Sequence, residues 1–239
     1  MIDLHCHYLP AIDDGAQSLN EALALARASV ADGITVAAMT PHVLTGIFEN
    51  SLLSILQAVD SFKLELAHNE IPLHIVPGGE VRLSPEIMDW FAKDELPYLG
   101  IVDGYRIVLL ELSHSRIPIG SDRLVRWLLE NKVRPMIAHP ERITEVTNNL
   151  DKLYPFVDMG CYFQVTAASL LGNFGKATQD IALKMLERDW ITALATDAHN
   201  LEHRPPRMAQ AKEFLAQRGM GDVAERLTYT MPARILGMH

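Results

Sequence analysis

The chain reads as one α/β domain over residues 1–239, with a parallel sheet that closes, or nearly closes, into a barrel. Three observations predict this. Apolar strand-like runs alternate with amphipathic helical stretches from end to end, giving about seven strand–helix units. The strand runs are apolar almost throughout, as expected of strands covered on both faces. Side chains able to bind metals recur where those runs end. A barrel brings every strand's carboxyl end to one mouth, whereas an open doubly wound sheet gathers ligands at a single switch point.

The elements follow in order. Residues 1–7 form the first strand, and Ser18-Leu-Asn-Glu21 has the spacing of a capping box. The helix it opens carries Leu19, Ala22, Leu23, Ala26 and Val30 on one face and stops at Gly33. Ile34–Thr40 is strand, ended by Pro41-His42. Residues 51–69 are helical, with Leu52, Ile55, Leu56, Val59, Phe62 and Leu66 as the apolar face. Leu73–Val76 is strand, followed by Pro77-Gly-Gly-Glu80, and residues 84–92 form a short helix. Residues 105–112 are strand with Glu111 near the end, and Ser121 is expected to cap the next helix. Arg134–Ala138, Cys161–Thr166 and Ile191–Thr196 are strands, the first ending at His139 and the last at Asp197. Residues 177–188, 206–218 and 221–228 are helical.

Composition narrows the function classes. A hydrophobic content of 49% provides a sizeable core, which excludes a disordered chain. A formal charge of −9 argues against nucleic acid as partner. It leaves an anionic substrate open, because divalent cations would make the pocket positive. Two cysteines, Cys6 and Cys161, give no disulfide framework. The first basic residue is Arg27, unlike the start of a signal peptide, and no apolar run approaches a membrane span. The expected location is the cytoplasm, and the protein is expected not to be embedded in a membrane.

Nine side chains at strand ends carry the chemistry: His5, His7, Asp14, His42, Glu80, Glu111, His139, Asp197 and His199. Strand side chains alternate faces, so His5 and His7 point the same way and Cys6 points oppositely. Any one of these residues alone reads as a turn residue or a structural histidine. A carboxylate closing an apolar run, as Glu111 closes Arg106-Ile-Val-Leu-Leu-Glu111, is costly to desolvate without a partner, and a cation is the natural one. Composition cannot separate Asp13 from Asp14 as the ligand. His68 and His74 read as structural residues, and His114 and His203 first as surface-loop residues, near enough to the expected mouth to touch substrate. A cysteine phosphatase is excluded, because Ile12 and Ala167 stand where Cys-x5-Arg would need arginine. No phosphate-binding glycine loop, nucleophile elbow or H-E-x-x-H is present. The pattern fits a multinuclear metal site doing hydrolysis.

In combination, these motifs resemble the polymerase-and-histidinol-phosphatase (PHP) family. More narrowly, they resemble its bacterial manganese-dependent protein-tyrosine phosphatases of capsule and exopolysaccharide synthesis. The resemblance rests on His5-Cys-His7, Asp13-Asp-Gly15 with Ser18, Thr40-Pro-His42 with Phe48-Glu49, Gly79-Glu80 and Leu110-Glu111. It continues through Ile137-Ala-His-Pro-Glu-Arg142, Asp158-Met-Gly-Cys-Tyr162 with Gln164, and Thr196-Asp-Ala-His-Asn200 before Arg204-Pro-Pro206. It implies a distorted (βα)7 barrel of TIM-like form holding three divalent ions, manganese first, with iron, zinc, cobalt or magnesium as alternatives. His5, His7, Glu80 and Asp197 would hold one ion. Glu80 would bridge to a second, held also by Glu111 and His139. Asp14, rather than Asp13, would hold the third with His42 and His199. Arg142 and Arg204 would contact phosphate. Val43 and Ile143 depart from the family pattern.

The expected reaction is hydrolysis of phosphotyrosine in protein by a metal-activated hydroxide. By resemblance, the substrate is the tyrosine-rich tail of a membrane-associated bacterial tyrosine kinase. The rival readings are a histidinol-phosphate-like small-molecule phosphatase and a metal-bound, non-catalytic module that caps the kinase tail.

Overall fold

The computed structural model describes residues 1–238; His239, the last residue of the expected domain, lies outside them. Ten strands are assigned among the described residues: β1 Ile2–Cys6, β2 Val36–Met39, β3 His42–Val43, β4 His74–Pro77, β5 Glu80–Arg82, β6 Gly100–Val102, β7 Tyr105–Glu111, β8 Val133–Ala138, β9 Tyr162–Thr166 and β10 Ala193–Ala195. All pairings are parallel except β6 against β7.

The strands make two sheets, one ordered β1-β2-β4 and the other β10-β9-β8-β7-β5-β3. Proline explains part of the division. It removes a ladder donor, and Pro41 splits the expected 34–40 strand into β2 and β3. Pro77-Gly78-Gly79 splits the next into β4 and β5 in the same way. The two broken strands stay neighbours on both sides of the break, β2 with β4 and β3 with β5. At the other edge, a single bridge joins Cys6 to Ala198. There the His7 N–H donates to Ala198 O, and the Asp197 N–H to His5 O. Counting each broken strand once, the two sheets supply seven strand positions in a largely parallel α/β frame, and the isolated bridge at Ala198 is the contact between the β10 edge and β1.

Two apolar layers support this frame. Ile2, Leu4, Val36, Ala38, Ile107, Leu109, Met136 and Ala193 fill the interior. Ile235 of the helix Met231–Ile235 closes its lower end, packed so tightly that a Cβ on Gly100 would run into its carbonyl oxygen. The larger cluster lies between strands and helices and includes Cys6, Val81, Leu110, Ile137, Phe163 and Leu194.

β1 does not alternate simply. Ile2 opposes Val36 but Cys6 opposes Met39, so the register slips by one residue between Asp3 and Cys6. Such a bulge re-aims the side chains that follow it. Leu4 packs in the interior, and His5 beside it also reaches inward to Glu80 and Asp197.

Several local expectations need correction. Ser18 accepts from Glu21 N–H, but the Glu21 carboxylate accepts from Gln17 N–H, so the reciprocal half of the box is missing. Ser51 and Ser54 form a complete box instead. Gly120, with φ +88°, caps the helix Ser121–Glu130, while Ser121 Oγ donates to Pro118 O from the first helical position. The short helix begins at Ile87, after Ser84-Pro85. The terminal helices are Ala209–Ala216 and Gly221–Glu225, the second continuing as a π-turn. Among the described residues, no helix is long and apolar enough to cross a membrane.

Candidate metal centre

The frame brings all nine predicted side chains to one end. His5 and His7 leave β1; His42 opens β3, and Glu80 opens β5 beside it. Glu111 ends β7, and His139 and Asp197 follow β8 and β10. His139 and Asp197 have φ of +33° and +50°. That region is strained for residues with a Cβ, and surrounding contacts must hold it.

Three groups of ligand atoms converge to within 4.8 Å: His5, His7, Glu80 and Asp197; His7, Asp14, His42 and His199; and His42, Glu80 and Glu111. His139 joins through its Nε2, 2.8 Å from Glu80 Oε1. All are buried except Asp14, which is about half exposed, and His42, which is partly exposed.

The hydrogen bonds behind the imidazoles show what the cluster lacks. His5 Nδ1 donates to Gln164 Oε1 at 2.9 Å, and His7 Nδ1 to Asp13 Oδ2 at 2.7 Å. Each neutral ring therefore carries a lone pair on Nε2. Those two nitrogens face each other 3.1 Å apart. Two lone pairs at that distance repel unless a proton or a metal cation lies against both. His199 Nδ1 is likewise committed to Asp197 O, and its Nε2 is buried without a hydrogen-bond partner. Glu80 Oε2, Asp197 Oδ1 and both Glu111 oxygens are also buried without a hydrogen bond, although Arg82 Nη2 is an ion-pair neighbour of Glu111 Oε2 at 2.8 Å. His42 Nδ1 stands 2.9 Å from Glu80 Oε2, yet neither atom makes a hydrogen bond. Buried polar atoms are normally satisfied. A set of unsatisfied nitrogen and oxygen atoms converging on common points fits divalent cations.

Electrostatics support this fit. Burial, with Arg142 adding to it, pushes His139 down to about 3. Burial, with His7 adding to it, pushes His199 down to about 4. Both rings are thus neutral, the form that binds metal. Burial and then the neighbouring Glu80 charge push Glu111 up to about 7. Burial would raise Asp197, but His5, Arg142 and Arg204 outweigh it and hold it well below the usual carboxylate range.

Burial would lower His42, but Asp14 and Glu80 raise it to about 10. Below that pH a proton occupies His42, and loading must expel it. Apparent metal affinity is therefore expected to rise with pH. Titration calorimetry near pH 7, in buffers of different ionisation enthalpy, should register released protons. Heats independent of the buffer would contradict this assignment.

Sequence reasoning assigned no role to several supporting groups. Asp13 accepts from His7 Nδ1 and from the N–H groups of Gly15 and His42, so it orients His7 and the start of β3 from behind. Gln164 Oε1 receives His5 Nδ1 and His139 N–H. Asp3 ties β1 to β10 through Thr196 N–H and Oγ1. Arg82 places Nη2 2.8 Å from Glu111 Oε2. His114, expected at the surface, is 58% exposed, but its Nε2 lies 3.3 Å from Glu111 Oε1 and its ring stacks on His139. No spacing signal marked Arg82 or His114. Asp13 was visible only as one of two adjacent aspartates.

Arg142 and Arg204 both donate to Asp197 Oδ2, and the Arg142 guanidinium lies over Phe174. Val43 and Ile143 are buried in the core. Both cysteines are free and buried. Burial pushes the Cys6 thiol well up and Cys161 to about 12, so neither supplies a thiolate at neutral pH.

Gly15 allows the loop after β1 to lie against His7. A Cβ there would run into the His7 carbonyl oxygen and stand 2.5 Å from His7 Cβ. Gly15→Ala is expected to cost about 1–3 kcal/mol and to displace His7. Melting temperature and bound metal should both fall; wild-type values for both would show that the loop yields freely.

A parallel α/β frame that gathers imidazoles and carboxylates beyond its strand ends is the architecture of a metal-dependent hydrolase. Residues 1–237 match the family model for capsular polysaccharide synthesis, CpsB/CapC, and the chain belongs to that family. The tyrosine-protein phosphatase YwqE of Bacillus subtilis is 37% identical over 204 residues, 85% of this chain and 79% of that protein. The tyrosine-protein phosphatase CpsB of Streptococcus pneumoniae is 30% identical, over 99% of this chain and 98% of that one. A chain from the crystal structures of YwqE and CpsB, described as metal-dependent tyrosine phosphatases, superposes with a TM-score of 0.90 at 32% identity. It covers 100% of this chain and 96% of its own length. Histidinol phosphate phosphatase of Lactococcus lactis, complexed with zinc, L-histidinol and phosphate, shares the fold at TM-score 0.58 and 12% identity, covering 93% of both chains.

Proposed function

We propose that the protein is a metal-dependent protein-tyrosine phosphatase acting on a phosphotyrosine protein in capsular or exopolysaccharide synthesis. The observation that carries this reading is the set of converging, unpartnered ligand atoms in a chain whose family relatives are named tyrosine-protein phosphatases. His5, His7, Glu80 and Asp197 would hold one ion; Glu80, Glu111 and His139 a second; and Asp14, His42 and His199 a third. Bound divalent ions, manganese first, would supply Lewis acidity and a water-derived nucleophile at neutral pH.

The chain's own residues do the rest. Asp13 and Gln164 fix the His7 and His5 tautomers, so that each Nε2 presents its lone pair. Arg142 and Arg204 keep Asp197 ionised. Each guanidinium has five N–H donors, and those not used on Asp197 can receive phosphate oxygens. The Arg204 Nε is buried without a partner, in keeping with an anion contact. Tyrosine leaves as a phenol of pKa about 10, so its departure needs little acid assistance.

The tyrosine-rich tail of a membrane-associated tyrosine kinase is the proposed substrate, and the cytoplasm the proposed location. Phosphate release with added metal should be fast from phosphotyrosyl peptide, slow from histidinol phosphate and abolished by chelator. Preference for histidinol phosphate would transfer the protein to the small-molecule class. Metal binding without turnover of either would leave it a binding module.

A further inference from the structure

An apolar groove of about 450 Å³ lies between the helices Ile87–Ala92 and Ser121–Glu130. Leu83, Pro85, Met88, Ile119, Leu124 and Trp127 line it, and Arg123 is the single charge in its lining. Ile119 is fully exposed and Met88 is 45% exposed, so large apolar side chains stand in water here. Exposed apolar surface beside a site usually marks binding.

The groove is continuous with the metal centre through both of its walls. Leu83 directly follows Arg82, whose guanidinium holds Glu111, and the Leu83 N–H donates to the Glu111 carbonyl. The opposite wall, at Pro118-Ile119-Gly120, belongs to the loop that begins beside His114, whose ring lies against His139 and Glu111. An extended peptide advances roughly 3.3–3.6 Å per residue. Residues flanking a phosphotyrosine bound beside Glu111 and His114 would therefore reach the segments that wall this groove.

We infer that the groove docks an apolar side chain flanking the phosphotyrosine of a peptide substrate, making it a specificity subsite of the phosphatase. The inference rests on the phosphatase reading. The occupant is a side chain of the substrate peptide rather than a free small molecule, because the segments that wall the groove adjoin the ligand cluster while no ligand lines the groove itself. Apart from Arg123, its lining carries no charge to hold the phosphate itself. Recognition combining a charged anchor with a flanking apolar contact is a common way for proteins to read extended peptides.

The test uses the metal-loaded full chain. Its substrates are free phosphotyrosine and heptapeptides of alanine around a central phosphotyrosine, with one leucine moved through the flanking positions. The readout is the ratio of kcat/KM for each leucine peptide to that for the all-alanine peptide. In the wild type, one position should give a ratio of roughly ten or more, the effect of burying one leucine side chain. Ile119→Asp and Met88→Asp, both at exposed positions, should bring that ratio close to one. Because the ratio is internal to each variant, a general loss of activity cancels. Turnover with no leucine preference at any position overturns the inference, as does a preference that survives both substitutions. A wild-type dimer in light scattering that both variants dissociate, with the leucine ratio unchanged, would assign the groove to a second copy of the chain instead. No turnover of free phosphotyrosine or any peptide overturns the phosphatase reading, and this inference with it.

Discussion

Glu80→Ala is expected to lower kcat/KM at least a thousandfold and to remove more than one equivalent of metal. Glu80 Oε2 lies 3.2 Å from His5 Nε2, 3.4 Å from His7 Nε2 and 2.9 Å from His42 Nδ1, and Oε1 lies 2.8 Å from His139 Nε2. No other carboxylate among the described residues approaches four of the five clustered histidines so closely. Burial opposes its ionisation, yet the surrounding imidazoles hold it well below the usual carboxylate range. A thousandfold loss corresponds to about 4 kcal/mol of transition-state stabilisation. Elemental analysis of the metal-saturated variant checks the stoichiometry, and phosphate release checks the rate. Glu80→Gln keeps the volume but loses the charge, so it separates packing from electrostatics. Full metal occupancy in Glu80→Ala would show that Glu80 does not bridge.

Arg142→Ala and Arg204→Ala are each expected to lower kcat/KM on phosphotyrosyl peptide by roughly tenfold to a thousandfold, the cost of a charge-assisted contact of about 1.5–4 kcal/mol. Metal content should hold, because guanidinium has no lone pair to offer a cation. The structure adds a distinction between the two. Arg142 is the more buried and packs over Phe174, whereas Arg204 is the more open. Arg142→Ala should therefore lower the melting temperature more than Arg204→Ala. Arg→Lys should restore only part of the rate at either position, since a point charge cannot reproduce the planar fork. A metal-loaded Arg204→Ala protein with wild-type efficiency would confine Arg204 to its contact with Asp197.

Much of the fold was legible because strand and helix periodicity are local. The strands around 105–112 and 134–138 and the helix over 51–69 needed only neighbouring residues to specify them, and they stand within a residue or two of expectation. Antiparallel β6 was not legible, because Gly100–Val102 is strand only through its pairing with β7. Caps were partly legible. Ser18 engages the helix as its spacing suggests, but which neighbour Glu21 reaches depends on the incoming chain at Gln17.

By itself, the sequence determined which side chains follow the apolar runs, because a carboxylate or imidazole closing such a run is a local pattern whose desolvation demands a partner, although His42 and Glu80 prove to open new short strands. Tertiary structure alone decided how those side chains meet. The bulge in β1 turns His5 inward beside Leu4, a choice set by pairing with β2 that strict alternation does not contain. The split strands carry His42 and Glu80 into register, and their separation in sequence gives no hint of it. The orienting of His7 by Asp13, and the approach of Arg82 and His114 to Glu111, likewise arise from long-range closure of the frame. Local periodicity fixes where a side chain sits along its own strand, but the distances that make a cation site are set between strands.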